Sequence, residues 1–221
     1  MVEHIPLFIA PALFLILIII ARGGMEKKDW GLFSSSYFFG ILAAIPMILA
    51  VFYVKHYWLV HATSIRRILF FAFALIGFLF DFFKFLVLRY RYITNDLLTK
   101  PFDGILYGVL ISLGFATAAN VFFFYEWDYT NRLSTLLYTV PLANLITGVI
   151  LGFFVGMGKF RKPSFIDSLT GLGAAIFFQG FYNFCMFSED YLLLGLVASG
   201  TIIIAITLAV KSLNTDLKSM L

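Results

Sequence analysis

The sequence predicts an all-α, polytopic membrane bundle of about seven transmembrane helices, on three observations. Hydrophobic residues make up 62% of the 221-residue chain and charged residues only 13%, where a soluble domain carries about 25%. Mean hydropathy is +0.97. Apolar runs also recur at close to the roughly 20 residues that cross a bilayer as helix. The 28 Phe and 11 Tyr suit lipid-facing surfaces and interfacial belts. No soluble domain, long linker or low-complexity run interrupts the pattern, so residues 1–221 read as one integral membrane domain.

Seven runs are expected to span: 5–21, 32–54, 67–88, 102–125, 133–158, 165–187 and 191–210. The first has the length of a secretory leader. It lacks a basic start, and Arg22-Gly23-Gly24 is not a small-x-small cleavage site, so it is read as a retained helix. Orientation follows from Lys and Arg. An outside N-terminus puts Arg22, Lys27, Lys28, Arg89, Arg91, Lys100, Lys159, Arg161, Lys162, Lys211 and Lys218 inward, and Lys55, Arg66, Arg67 and Arg132 outward. Eleven against four predicts a cytoplasmic C-terminus, in a bacterial inner membrane. The net charge of +4 is what such flanks produce and does not indicate nucleic acid. The single cysteine, Cys185, excludes an internal disulfide and a cysteine metal cluster.

Polar side chains at bilayer depth cost about 2.5–3.5 kcal/mol for Asp or Lys, so each marks a candidate site. The third span holds Asp81 and Lys84, three apart on one helix face and able to neutralise each other. The fourth carries small residues at Gly104, Gly108, Ser112 and Ala116, ending on Asn120. The fifth repeats the spacing with Asn144, Gly148, Gly152 and Gly156, and places Thr147 beside Asn144; the sixth does so with Gly171, Ala175, Gln179 and Asn183. Small residues let helix backbones approach, and buried amides need partners inside the bundle. The three stripes are therefore expected to face one another and enclose Asn120, Asn144, Gln179 and Asn183, near Asp81 and Lys84. Asp103 starts the fourth span, where N-terminal capping accounts for it.

These residues resemble the PrsW family of intramembrane metalloproteases, within the wider group that holds the CAAX-processing proteases and the gamma-secretase scaffold. The family pattern has a Glu-Glu-x-x-Lys helix, a DGxxYGxxxGxGFAxxEN helix, and two later helices that each bring a histidine. The first motif here reads Phe80-Asp81-Phe82-Phe83-Lys84. The second keeps Asp103-Gly104, Tyr107-Gly108, Gly114-Phe115-Ala116 and Asn120, with Ala119 in place of Glu. The histidine positions are Asn144 and Gln179, the latter followed by the retained Asn183. The similarity implies a PrsW-like core over about 66–187.

A hydrolytic metal site needs imidazole or anionic oxygen ligands and a carboxylate base. Phe80, Asp81, Ala119, Asn144 and Gln179 stand where the resemblance implies those groups, while Lys84, Asp103, Asn120 and Asn183 are kept. His4, His56 and His61 lie near span ends and read as interfacial. Ser112 has no histidine at helical spacing, so a serine dyad is unsupported. The pattern is that of a pseudoprotease with no catalytic residue, metal or cofactor, zinc entering only if an altered active site survives. Its expected partners are the bilayer and the transmembrane segments of other proteins, in a hetero-complex. Two alternatives are an active metalloprotease built on Asp81, and a carrier or lipid-binding protein using an amide-lined cavity.

Overall fold

A computed structural model describes residues 2–21, 27–57, 64–93, 97–126, 131–161 and 164–219. Every regular element among them is helical. A tight 3₁₀ segment, Val2–Phe8, leads into α1 (Ile9–Ala21), followed by α2 (Lys27–Ala43) and α3 (Ile45–Tyr57). The third span is one continuous helix, Ile65–Ile93, in which α4 (Ile65–Leu69) and α5 (Phe78–Val87) alternate with the wider-wound stretches Phe70–Gly77 and Leu88–Ile93. In the first of these the Phe78 N–H reaches the Phe73 carbonyl, five residues back. Then come α6 (Pro101–Glu126), α7 (Asn131–Lys159), α8 (Ser164–Ser188) and α9 (Tyr191–Ser219).

Among the described residues five helices are long and apolar enough to cross a bilayer: Trp30–Val54, Ile65–Ile93, Pro101–Glu126, Leu133–Lys159 and Tyr191–Thr215. The remaining two expected spans are the shorter apolar helix His4–Ile20 and the 25-residue α8. Asp167, Gln179 and Asn183 dilute the apolar character of α8. The second span is interrupted at Ala44, between α2 and α3. Pro46, second residue of α3, has no N–H and crowds the carbonyl of Leu42, and the chain responds with the tighter Ala44 N–H to Ile41 carbonyl bond, 3.2 Å.

Burial ranks the helices. In each of α6 and α7, 72% of the apolar stretch is buried, against 11% in α9. The central pair is therefore α6 and α7, while α9 lies against the outside of the bundle. The α6–α7 seam is backbone on backbone. A methyl group at Gly108 would sit 2.6 Å from the Gly148 carbonyl oxygen, and one at Gly104 2.5 Å from that of Gly152. Only hydrogen fits there, and close approach supplies the packing that drives association in lipid. The stripes of the fourth and fifth spans thus face each other as expected.

Gly171 of the α8 stripe packs on Phe154 and Leu151 of α7, while Gly180, which is outside that stripe, lies under the Phe73 ring and beside Gly77 of the third span. A second backbone crossing joins α2 to α6, where Gly40 meets Ile111 and Gly114 meets Tyr37. A polar bridge fixes that crossing, Tyr37 to Thr117 at 2.7 Å, and the neighbouring Ser36 ties α2 to the third span through the buried Tyr92 hydroxyl. Several residues assigned inward by charge gather at one end of the bundle. Lys159 donates to the Leu98 carbonyl at 2.8 Å, Arg89 lies 5.2 Å from the Phe165 ring, and Lys211 lies 6.0 Å from the Phe153 ring. Arg22, His61 and Lys162 fall outside the described residues, as do the side chains of Lys27, Lys28, Lys55, His56, Arg132 and Lys218.

Candidate functional site

The strongest polar constellation is built around Lys84, which is 1% exposed. Helical spacing brings its ammonium to Asp81 Oδ1 at 2.7 Å, one turn earlier on α5. It also donates to Asn144 Oδ1 at 3.0 Å and to Thr147 Oγ1 at 3.3 Å, both on α7. An ammonium has three N–H donors, and these three acceptors use all of them. The Phe115 ring of α6 covers the group, 5.4 Å from Nζ, a distance at which the ring face attracts a cation. Asp81 and Asn144 are both fully buried. Asn144 spends its amide N–H on the Val140 carbonyl, 3.0 Å away. The two charges that would be costly singly thus sit as a pair inside the bundle.

The other motif positions surround this centre unequally. Phe80 is buried with its ring tilted on Phe115, centroids 4.9 Å apart, and parallel to Phe123 at 6.5 Å. Ala119 lies fully buried in the same apolar cluster. Gln179 is fully buried on α8, with no hydrogen-bond partner among the described residues for either its amide nitrogen or its oxygen. It lines a cavity that Thr147 also lines. Asn183, one turn further along α8, has an amide nitrogen without a partner among the described residues.

Two retained motif residues stand apart from Lys84 and have local duties. Asp103 caps α6: one carboxylate oxygen accepts from the Thr99 N–H at 2.7 Å, the Thr99 hydroxyl at 2.8 Å and the Lys100 N–H at 2.8 Å. Twelve residues separate Asp103 from Phe115, about 18 Å along the helix. Asn120 donates to the Leu137 carbonyl at 2.9 Å and to the Pro6 carbonyl at 3.2 Å. Leu137 is four residues before Pro141, which sits inside α7. A proline has no N–H to give to that carbonyl, and Asn120 supplies the missing donor from the neighbouring helix. Leu137 lies two turns, about 10 Å, from Asn144, so Asn120 belongs to a separate polar point. That role was open to a search for a buried amide opposite the carbonyl four residues before a proline.

A model of the PrsW family intramembrane metalloproteases matches residues 28–210. The chain belongs to the PrsW family. It is 28% identical to the protease PrsW of Shouchella clausii over 199 residues, 88% of each chain. It is 27% identical to the protease PrsW of Halalkalibacterium halodurans over 154 residues, 70% of this chain and 69% of that one. With the protease PrsW of Bacillus subtilis it shares 28% identity over 152 residues, 69% of this chain and 67% of that one. No solved structure matches the chain.

The PrsW family is one of metalloproteases, so the described residues can be weighed as metal ligands. They do not fit. Lys84 holds Asp81 Oδ1 and Asn144 Oδ1 at 2.7 and 3.0 Å, so a divalent cation binding there would have to displace an ammonium and tolerate its positive charge close by. Phe80 and Ala119 offer no donor atom, and Gln179 offers a neutral amide, a weaker ligand than imidazole or carboxylate. Among the described residues no three His, Cys, Asp or Glu side chains come together. His4, an aromatic neighbour of Phe124 at 5.0 Å, is at the start of the chain and exposed.

Proposed function

We propose that this PrsW family member is a non-hydrolytic membrane subunit that binds the transmembrane helices of other proteins in a hetero-complex. The observation that carries the reading is the saturated Lys84. The acid and the amide that stand at two of the motif positions are both committed to it, and apolar Phe80 and Ala119 fill the space beside it. The scaffold half of the motif, the α6–α7 glycine seam, is intact. In this reading residues 1–221 act as one bundle and need neither zinc nor another cofactor. The basic end faces the cytoplasm of a bacterial cell, whose inner membrane holds the protein.

Hydrolysis at an altered site is the second reading, favoured by the relatives' being named proteases and by Asp81 remaining as an acid. Elemental analysis of the purified full chain separates the two. The subunit reading expects zinc at background level in the wild type and in Asp81→Ala alike, together with co-purifying membrane proteins in a mild detergent. One zinc per chain, lost in Asp81→Ala, overturns it. So does a preparation that yields a lone monomer under every mild extraction condition.

A further inference from the structure

A cavity of about 130 Å³ lies between α7, α8 and α9. Its walls are apolar except for five side chains, and four of these have partners. Thr139 and Tyr182 bond each other at 2.7 Å, Thr147 receives Lys84, and Thr201 bonds the Val197 carbonyl of its own helix. Gln179 alone of the five has neither its donor nor its acceptor partnered among the described residues, in a side chain that is fully buried. The rim residues Leu142 and Ile202 are 51% and 43% exposed, so the cavity opens sideways, between α7 and α9, toward lipid.

Depth narrows the occupant. Gln179 is nine residues from Ser188, the nearer end of α8, which is about 14 Å along the helix and close to the middle of a hydrocarbon core about 30 Å thick. Lipid headgroups do not reach that level. A membrane-spanning helix does, and it carries side chains there. The volume is near the roughly 150 Å³ cavity that takes one benzene, so it admits a single side chain and not a helix backbone. Gln179 offers N–H and C=O together, and a side chain that answers both at once without first taking up a proton is another primary carboxamide.

We infer that this lateral pocket is a recognition site for a partner transmembrane helix bearing an asparagine or glutamine at mid-membrane, which pairs amide to amide with Gln179. The inference rests on the helix-binding reading above and specifies its partner's chemistry.

The test uses the full chain in nanodiscs and a synthetic probe, a lysine-flanked Leu/Ala transmembrane peptide with one central Asn and a fluorescent label. The control peptide has Leu in place of Asn. Interhelical hydrogen bonds in membranes predict that the wild type binds the Asn peptide about three- to twenty-fold more tightly. The preference disappears in Gln179→Leu. It disappears also in Ala198→Phe, which fills the cavity and leaves Gln179 in place, and so covers the case in which Gln179→Leu fails to fold. Equal binding of the two peptides overturns the pocket while leaving helix binding intact. Binding of neither overturns the pocket, and helix binding then rests on co-purification alone. Gln179-dependent dimers in the absence of peptide place a second copy in the site and overturn the hetero-partner.

Discussion

Replacing Asn120 by Leu removes the amide that serves the carbonyl freed by Pro141, and the cost can be worked from the geometry. The bond to the Leu137 carbonyl is 2.9 Å long, and Leu137 is fully buried. An interhelical hydrogen bond in a membrane protein averages about 0.6 kcal/mol and reaches about 1.7. Leaving a buried carbonyl without a partner costs about 1–3 kcal/mol. The second bond, to the Pro6 carbonyl at 3.2 Å, adds a smaller amount. Asn120 Oδ1 has no partner among the described residues, so losing it offsets part of the penalty, and the expected destabilisation is about 1–2 kcal/mol.

Pro141→Ala restores a backbone N–H four residues after Leu137. In that background Asn120→Leu should cost only what the Pro6 bond contributes, about 0.6 kcal/mol, which gives a coupling of about 1 kcal/mol. Reversible unfolding in mixed micelles, followed by tryptophan fluorescence for the four members of the cycle, measures it. Independent sites add within about 0.3–0.5 kcal/mol. A coupling inside that window refutes the idea that Asn120 substitutes for the missing proline N–H.

Three further outcomes follow from the same structure. Lys84→Met strands Asp81 without a counter-charge and should destabilise by about 3–5 kcal/mol, while adding Asp81→Asn recovers most of the loss in the same unfolding assay. Gly108→Leu should prevent assembly, because even a methyl group there meets the Gly148 carbonyl oxygen at 2.6 Å, whereas Gly173→Ala, with open space around it, should be neutral or mildly stabilising. Both are read by size-exclusion monodispersity and thermal stability. A folded variant carrying Phe80→Glu, Asp81→Glu, Ala119→Glu, Asn144→His and Gln179→His should take up zinc; elemental analysis showing none in that folded variant removes the correspondence of these positions to the family's ligands.

Much of the bundle was legible in the sequence because hydropathy and helix periodicity are local signals. The Asp81–Lys84 pair follows from a spacing of three. The facing of Gly104 and Gly108 with Gly148, Gly152 and Gly156 follows from stripes that serve no purpose toward lipid. The α8 stripe was legible at Gly171, which meets α7, but the role of Gly180, outside that stripe and turned to Phe73 on the third span, was not. Which of two faces a glycine serves depends on the azimuth of its helix, and a single sequence does not carry that angle. The Gly40–Gly114 crossing escaped for a similar reason, since each helix brings a single glycine to it and a single glycine makes no stripe. The wide winding of Phe70–Gly77 has no residue signature. Amides were the hardest group. Asn120, Asn144 and Gln179 look alike as letters, yet one serves a backbone carbonyl, one holds an ammonium, and one faces a cavity.

The α6–α7 seam also has a mechanical consequence. Carbonyls of one helix sit against glycines of the other at intervals of four residues, so a slip of one residue would drive a side chain into backbone. The pair is keyed like two racks and moves as a single rigid beam. Any change in helix packing must therefore be taken up elsewhere. The contrast is α9, which packs on α6, α7 and α8 yet has only 11% of its apolar stretch buried, and so is the helix least held by the rest of the bundle.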